Sequence, residues 1–97
     1  MIKELKLQAE QKYNIIGYGE VFGIHFEIKL DYFTISVSET EKREILVKVK
    51  RGNYGAQGVY SQKVLKEMFK NNIQKILDFI IYRTLEYYYT EKCKSLL

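Results

Sequence analysis

The segment from Ser61 to Tyr89 constrains the fold of this chain more than any other, because it is the longest stretch with one helical period. At about 100° per residue, its apolar residues fall on one arc and its polar residues on the opposite arc. No glycine or proline interrupts it, and the Ser61 hydroxyl can cap its first turn. The apolar arc comprises Val64, Leu65, Met68, Phe69, Ile73, Ile76, Leu77, Phe79 and Ile80. This pattern predicts a long amphipathic C-terminal helix over residues 61–82 or longer.

Three shorter segments alternate apolar and polar residues, as strands with one buried face do. They cover residues 21–30, 32–38 and 44–50. In the first, the alternation begins at Phe22, and the polar face carries His25 and Glu27. Short polar segments separate the three, so they are expected to pair as an antiparallel meander.

These elements predict one α+β domain over residues 1–97, with the helix covering the apolar face of the sheet. Residues 2–13 fit both a helix and a strand. Their composition favours a short helix, whereas an edge strand there would make the sheet four-stranded. Residues 14–20 contain two glycines and predict a turn or a short irregular strand. Residues 51–60 contain three glycines and predict a loop or an irregular short strand before the helix.

Few residues of this chain suit catalysis. His25 is the only histidine and Cys93 the only cysteine, so the pattern offers neither a metal-ligand set nor a nucleophile next to a base. Gly17, Gly19 and Gly23 approximate a phosphate loop, but a predicted strand follows where a dinucleotide site needs a helix. We therefore expect a non-enzymatic protein without metal or cofactor. In this interpretation His25 has a structural role and Cys93 is an incidental thiol.

The apolar runs of the chain are short. The longest extends from Phe79 to Tyr82, far below the roughly 20 residues that a membrane-spanning helix needs. The N-terminal residues alternate charged and apolar side chains and form no apolar signal segment. We therefore expect a cytoplasmic protein without a membrane partner. Its proline-free composition, rich in lysine, isoleucine and tyrosine, would suit a phage or mobile-element protein.

One stretch of the chain, from Ile45 to Lys66, has no acidic residue. Positive charges with aromatic rings between them, a glycine-rich loop and a helix start all suit a phosphate backbone. The candidate residues for nucleic-acid or phosphate binding are Lys48, Lys50, Arg51, Tyr54, Tyr60, Lys63 and Lys66. The alternative is an ordinary solvated basic surface, because lysine on an outer strand face commonly protects a sheet edge.

A cluster of tyrosines follows Tyr82, where the helical pattern calculated from Ser61 changes phase. Arg83 and Glu86 fall on the apolar arc there, and the apolar residues after them turn toward the polar arc. Consecutive tyrosines on a helix cannot all face one core, and tyrosine is enriched in binding hot spots. The predicted protein interface consists of Tyr82, Leu85, Tyr87, Tyr88 and Tyr89. The alternative is that the cluster wraps around the sheet edge against the N-terminal element.

These patterns predict a small accessory protein that works by binding a macromolecule. The first hypothesis is an inhibitor or adaptor that binds another protein, or a second copy of itself, through the tyrosine-rich end of the helix. The alternative is a nucleic-acid-binding module that uses the basic stretch. The net charge of +4 does not decide between them, because ordinary domains reach this value.

Overall fold

The structure is a computed structural model that describes the backbone of residues 1–21 and 23–95, and the side chains of residues 1–21 and 23–91. The elements in chain order are α1 (Ile2–Lys12), β1 (Asn14–Gly19), β2 (His25–Leu30), β3 (Phe33–Glu39), β4 (Glu44–Arg51), β5 (Tyr54–Ser61), α2 (Gln62–Phe69) and α3 (Ile73–Ser95). The strands form one antiparallel sheet in the order β1-β2-β3-β4-β5. The predicted α+β class, the meander order and the helical cover on one face are therefore confirmed.

The sheet has five strands within the described part of the chain, whereas the sequence predicted three or four. The two additional strands, β1 and β5, are the glycine-containing segments for which the sequence left open a turn or loop and a short irregular strand. Strand β5 pairs with β4 without interruption from Ser61 to Tyr54, and β1 pairs with β2 around a bulge between Ile15 and Gly17. Pairing with a neighbouring strand overrides the low strand propensity of glycine here.

Two of these glycines make room for a large side chain. A Cβ atom at Gly58 would lie 2.5 Å from the hydroxyl oxygen of Tyr60, because the Tyr60 ring folds back over Gly58. A Cβ atom at Gly19 would lie 2.5 Å from Cε1 of His25, its partner across the β1–β2 pair. These glycines therefore mark close approaches within strands rather than reversals of the chain.

One face of the sheet is buried and the other is open. The buried side chains of the strands are Phe26, Ile28, Phe33, Ile35, Val37, Ile45, Val47, Val49 and Tyr60. The strand register places His25 opposite Ser38 and Lys48 opposite Ser36 on the other face. Since side chains alternate along a strand, the helices pack on the first face, and the second face is mainly polar apart from Leu46 and Val59.

The C-terminal helix is divided into α2 and α3. Lys70 and Asn71 have φ values of 50° and 62°, and this left-handed conformation ends α2. The side chain of Asn72 then accepts a hydrogen bond of 3.1 Å from the backbone N–H of Lys75, which caps α3. Asparagine tolerates left-handed backbone and makes a good N-cap, so Asn71 continues the left-handed turn that Lys70 begins, and Asn72 starts the next helix. The prediction of one uninterrupted helix is wrong for this reason.

The division of the helix changes which residues are buried. The Phe69 ring of α2 packs 5.2 Å from the Phe79 ring of α3. Val64 and Met68, which lie on the predicted apolar arc, are exposed. Ser61 caps α2, as predicted, and its Oγ accepts a hydrogen bond of 3.3 Å from the backbone N–H of Val64.

The N-terminal segment is a helix, the first of the two alternatives that the sequence left open. Its buried residues are Ile2, Leu5 and Ala9. The end of α1 contacts α3, because Lys12 Nζ lies 2.8 Å from Asp78 Oδ1. The Tyr13 hydroxyl donates to the same oxygen at 3.4 Å. Helices α1 and α3 thus lie side by side over the buried face of the sheet.

Two predictions concern residues whose structure is not described. Phe22, at which the first alternating segment was expected to begin, lies between the described ranges, and β2 begins at His25. The side chain of Cys93 lies outside the described residues as well. In the described part of the chain, no helix combines the length and the apolar character needed to cross a bilayer.

Candidate functional site

Helix α3 divides the predicted interface residues between the core and the surface. Leu85 and Tyr88 are only 8% and 2% exposed, so both belong to the hydrophobic core. Tyr82, Tyr87 and Tyr89 are 50%, 38% and 51% exposed. Three of the five predicted interface residues are therefore accessible to a partner, whereas the side chains of Leu85 and Tyr88 are not.

The phase change predicted after Tyr82 is absent from α3. Its buried residues recur every three or four positions, which gives one continuous face: Ile76, Leu77, Ile80, Ile81, Thr84, Leu85 and Tyr88. The expected change came from counting helical positions from Ser61 as if one helix continued through Lys70 and Asn71. Because the helix is broken there, the side chains of α3 point in other directions than that count gives. Leu85 and Tyr88 therefore face the sheet, contrary to the prediction.

The end of the buried face packs on the start of β3. The Tyr88 ring lies edge-to-face on Phe33, with 5.0 Å between the ring centroids. The Tyr89 ring lies 5.9 Å from the same Phe33 ring, but its outer side is exposed. Further back along α3, Tyr82 lies beside Tyr13, where burial, Tyr82 and Asp78 raise the pKa of the Tyr13 hydroxyl. The tyrosine cluster thus touches both the sheet and the N-terminal helix and still presents three rings to solvent.

The exposed side of α3 forms a groove with the end of α2. The groove has a volume of about 640 Å³ and is lined by Phe69, Lys75, Asp78, Phe79, Tyr82, Arg83 and Glu86. Six of these residues follow one another along α3 at intervals of one or three positions, and we refer to them as the α3 stripe (Lys75, Asp78, Phe79, Tyr82, Arg83 and Glu86). The stripe has aromatic rings in its middle and charged residues toward both ends.

A second groove of about 380 Å³ adjoins the first. It is lined by Leu30, Asp31, Phe33, Tyr82, Leu85, Glu86 and Tyr89. Tyr82 and Glu86 line both grooves, so they stand on the ridge between them. The two grooves together make the exposed side of α3 a continuous surface with an aromatic ring at its centre.

The charged residues at one end of the α3 stripe hold one another in place. Arg83 Nη1 lies 2.9 Å from Glu86 Oε2, and the Arg83 guanidinium lies 5.1 Å from the centroid of the Tyr87 ring. Tyr87, and then Glu86, raise the pKa of Arg83. These contacts limit the conformations of Arg83, Glu86 and Tyr87 before any partner binds.

Tyr60, one of the candidate residues for nucleic-acid binding, is part of the core. Its hydroxyl lies 2.7 Å from Thr84 Oγ1, and Thr84 donates its single hydroxyl proton to the Ile80 carbonyl at 2.7 Å. Tyr60 must therefore be the donor to Thr84. Burial raises the pKa of Tyr60. Its ring is not available for stacking on a base, so this part of the predicted nucleic-acid site is wrong.

The other six candidate residues for nucleic-acid binding lie in different parts of the surface. Lys48, Lys50 and Tyr54 line a shallow depression of about 320 Å³ together with Asn53, Gly55 and Gln57. The Arg51 guanidinium lies 5.1 Å from the centroid of the Tyr32 ring. Lys63 and Lys66 lie on α2, which follows the opposite end of β5, roughly 20 Å along the strand at about 3.3 Å per residue. Three of the seven predicted residues are therefore brought together.

His25 lies on the open face of the sheet above Gly19, and its Nδ1 lies 3.5 Å from the Gly23 carbonyl oxygen. Among the residues that the structure describes, no three His, Cys, Asp or Glu side chains are grouped closely enough to hold a metal ion. The position of His25 is consistent with the structural role expected from the sequence, because its ring fills the space that Gly19 leaves.

The sequence interpretation missed Phe69, Phe79 and the charged residues of the α3 stripe. The sequence pattern placed Phe69, Phe79, Arg83 and Glu86 on the apolar arc, because the arc was calculated as if one helix continued through Lys70 and Asn71. No protein-family model matches the chain, and comparisons with curated proteins and with solved structures find no match either. A functional interpretation therefore depends on the chemistry of the α3 stripe and of the depression at Lys48 and Lys50.

Proposed function

We propose that this protein acts by binding another protein through the exposed side of α3. The observation that carries the proposal is the position of Tyr82, half exposed on the ridge between two adjoining grooves. Tyrosine is enriched in binding hot spots because its ring buries a large area while its hydroxyl can still form hydrogen bonds. Tyr87 and Tyr89 enlarge the aromatic surface on either side.

Contacts within the protein hold these three tyrosine rings in place. Tyr89 packs 5.5 Å from the buried Tyr88 ring, Tyr87 lies beneath Arg83, and Tyr82 lies beside Tyr13. A side chain that is already ordered loses less conformational entropy when a partner covers it. The three exposed tyrosines therefore suit binding better than mobile surface rings would.

The role that we propose is that of an inhibitor or adaptor rather than an enzyme. The residues lining the larger groove include no serine, cysteine, threonine or histidine, so the groove lacks the pair of a hydroxyl or thiol nucleophile with a histidine base. Its charged residues, Lys75, Asp78, Arg83 and Glu86, carry both signs and frame an aromatic middle. This arrangement, apolar at the centre and polar at the rim, is typical of protein interfaces.

The proposal is tested by removing exposed rings from α3 and measuring the capture of partner protein from the cells that make this chain. The Tyr82→Ser, Tyr89→Ser double variant is expected to capture at least about tenfold less partner, since hot-spot residues carry most of the binding energy. Its free energy of unfolding should fall by no more than about 2 kcal/mol, about 1 kcal/mol for each half-exposed ring.

The matched control removes two exposed side chains away from α3, with the Tyr18→Ser, Val59→Ser double variant. It should capture as much partner as the parent protein. Equal capture by the α3 variant, the control and the parent would contradict the proposed function, and so would a parent protein that binds neither a second copy of itself nor another protein.

A second candidate function, nucleic-acid binding, is favoured by the depression around Lys48 and Lys50. These lysines are adjacent on the open face of β4, and Gly55 leaves the floor between them and Gln57 without a side chain. A phosphate group can approach such a floor closely while two ammonium groups compensate its charge.

This second candidate predicts a localised effect of charge removal. Lys48→Gln with Lys50→Gln should weaken the binding of a single-stranded oligonucleotide and should lower the slope of log K against log salt by about 1.4. Lys63→Gln with Lys66→Gln removes the same charge from α2 and should have a smaller effect. Fluorescence anisotropy at several salt concentrations measures both. Equal loss in the two variants, or no binding by the parent at low salt, would exclude the depression as a nucleic-acid site.

A further inference from the structure

The α3 stripe is complementary to itself when a second α3 lies against it in the opposite direction. Its first residue, Lys75, is positive and its last, Glu86, is negative, while Phe79 and Tyr82 lie symmetrically about the midpoint. A twofold axis through that midpoint brings Lys75 of one copy opposite Glu86 of the other. The same axis brings Phe79 of one copy to the level of Tyr82 of the other.

We propose that the exposed side of α3 binds a second copy of this chain, with the two α3 helices antiparallel. This inference rests on the proposed function, because it uses the same surface and names the partner. A twofold interface repeats every contact, so the dimer would contain two Lys75–Glu86 ion pairs and two Phe79–Tyr82 ring contacts. The helices would form the inner layers of the dimer and the two sheets its outer layers.

The spacing of the central residues fits helix-to-helix packing. Lys75, Phe79, Tyr82 and Glu86 follow one another at intervals of four, three and four residues. This is the spacing with which two helices pack side by side at a crossing angle of about 20°. The seam covers three turns of helix, or about 16 Å at about 1.5 Å per residue.

The direction of the pairing follows from the charges. A parallel pair would place Lys75 against Lys75 and Glu86 against Glu86, which is repulsive at both ends of the seam. The antiparallel pair replaces both repulsions with attractions and also opposes the two helix dipoles. Antiparallel pairing is therefore the arrangement that these residues favour.

The residues that form the proposed ion pair are accessible in the single chain. Lys75 and Glu86 are both exposed. Glu86 uses Oε2 in its contact with Arg83, so Oε1 can accept from Lys75 of the second copy. Asp78, by contrast, is already engaged by Lys12 and Tyr13. We therefore assign the charge recognition to Lys75 and Glu86 and leave Asp78 to the contact with α1.

The dimer is expected to be weak, because the seam is short. A standard protein interface buries about 1,600 Å² in total, and three turns of one helix against another bury less. A dissociation constant on the order of 10–100 μM is therefore expected. Sedimentation equilibrium across this concentration range measures it with the full chain.

Charge reversal tests the proposal, because the two reversed chains should be complementary to each other. Lys75→Glu and Glu86→Lys each place like charges opposite one another twice in the dimer, so each variant should dimerise at least about tenfold more weakly than the parent. In an equimolar mixture, each reversed residue meets an opposite charge on the other variant. The mixture should therefore dimerise about as well as the parent. Lys63→Glu, a reversal on α2, is the matched control and should dimerise like the parent.

A parent protein that stays monomeric up to on the order of 1 mM would overturn the proposal. A mixture that dimerises no better than each variant by itself would overturn it as well. Circular dichroism of each variant shows whether it is folded, so unfolding is not mistaken for dissociation. A monomeric parent that still captures a different protein in a Tyr82-dependent way overturns the self-pairing and leaves the proposed function standing. Failure of both measurements overturns both.

Discussion

Phe26→Asp and Ile76→Asp are each expected to unfold the protein at room temperature. Both side chains are fully buried at 0% exposure, Phe26 in β2 and Ile76 in α3. An aspartate at either position would bring an unpaired charge into the core between sheet and helix. The expected cost exceeds about 4–5 kcal/mol, against a total stability of about 5–15 kcal/mol for a typical domain. Circular dichroism melts measure the effect.

His25 provides the matched control for this prediction, because it precedes Phe26 on the same strand and faces the opposite side of the sheet. His25→Ala should change the melting temperature by only a few degrees, which corresponds to a loss of about 1 kcal/mol or less. A His25→Ala variant that melts as early as Phe26→Asp would show that the faces of the sheet are assigned the wrong way round.

Tyr88→Ala is expected to lower the free energy of unfolding by about 3–5 kcal/mol, the usual cost of removing a buried aromatic ring. Its ring packs edge-to-face on Phe33 in the core. Tyr89→Ala should cost only about 1 kcal/mol, because the Tyr89 ring is half exposed. The two residues are adjacent and chemically identical, so each serves as the control for the other. Urea denaturation measures both values, and equal losses would contradict the division of α3 into a buried and a binding face.

The sequence predicted the three central strands because each alternates apolar and polar residues over a full strand length. The alternation of Phe26 and Ile28 with His25 and Glu27 reflects one buried face, and burial on that face is what the structure shows. The edge strands were left open between a turn or loop and a short irregular strand, since glycine is a poor strand former by propensity. At Gly19 and Gly58 the glycine is instead required by a neighbouring ring, and such a requirement is visible only in three dimensions.

The break between α2 and α3 explains most of the error at the candidate site. The sequence indicated a helix start at Ser61. Around Asn71 and Asn72, however, it contains no proline or glycine that would mark a helix end. Their conformation depends on the packing of α2 against α3, to which Phe69 and Phe79 contribute. Once the arc of α3 is calculated from its own start, the same spacing rule places Tyr88 inside and Tyr82 outside.

The basic stretch shows why proximity in sequence did not predict a site. Lys48, Lys50 and Tyr54 come together because β4 and β5 pair around the turn after Arg51. Lys63 follows β5 at its other end, so the same pairing separates it from them. The pairing of β4 and β5 therefore brings some of the predicted nucleic-acid-binding residues together and places the others at a distance from them.

Photo-crosslinking from position 82 tests most directly whether the exposed side of α3 binds protein. With p-benzoylphenylalanine in place of Tyr82, irradiation of the cells that make the protein should give a covalent protein adduct, and an adduct of twice the chain mass would identify a second copy. The same photoreactive residue in place of Val59, which is 50% exposed on the open face of the sheet, is the control and should give none. The absence of an adduct from position 82, or equal adducts from both positions, would contradict the proposed binding surface.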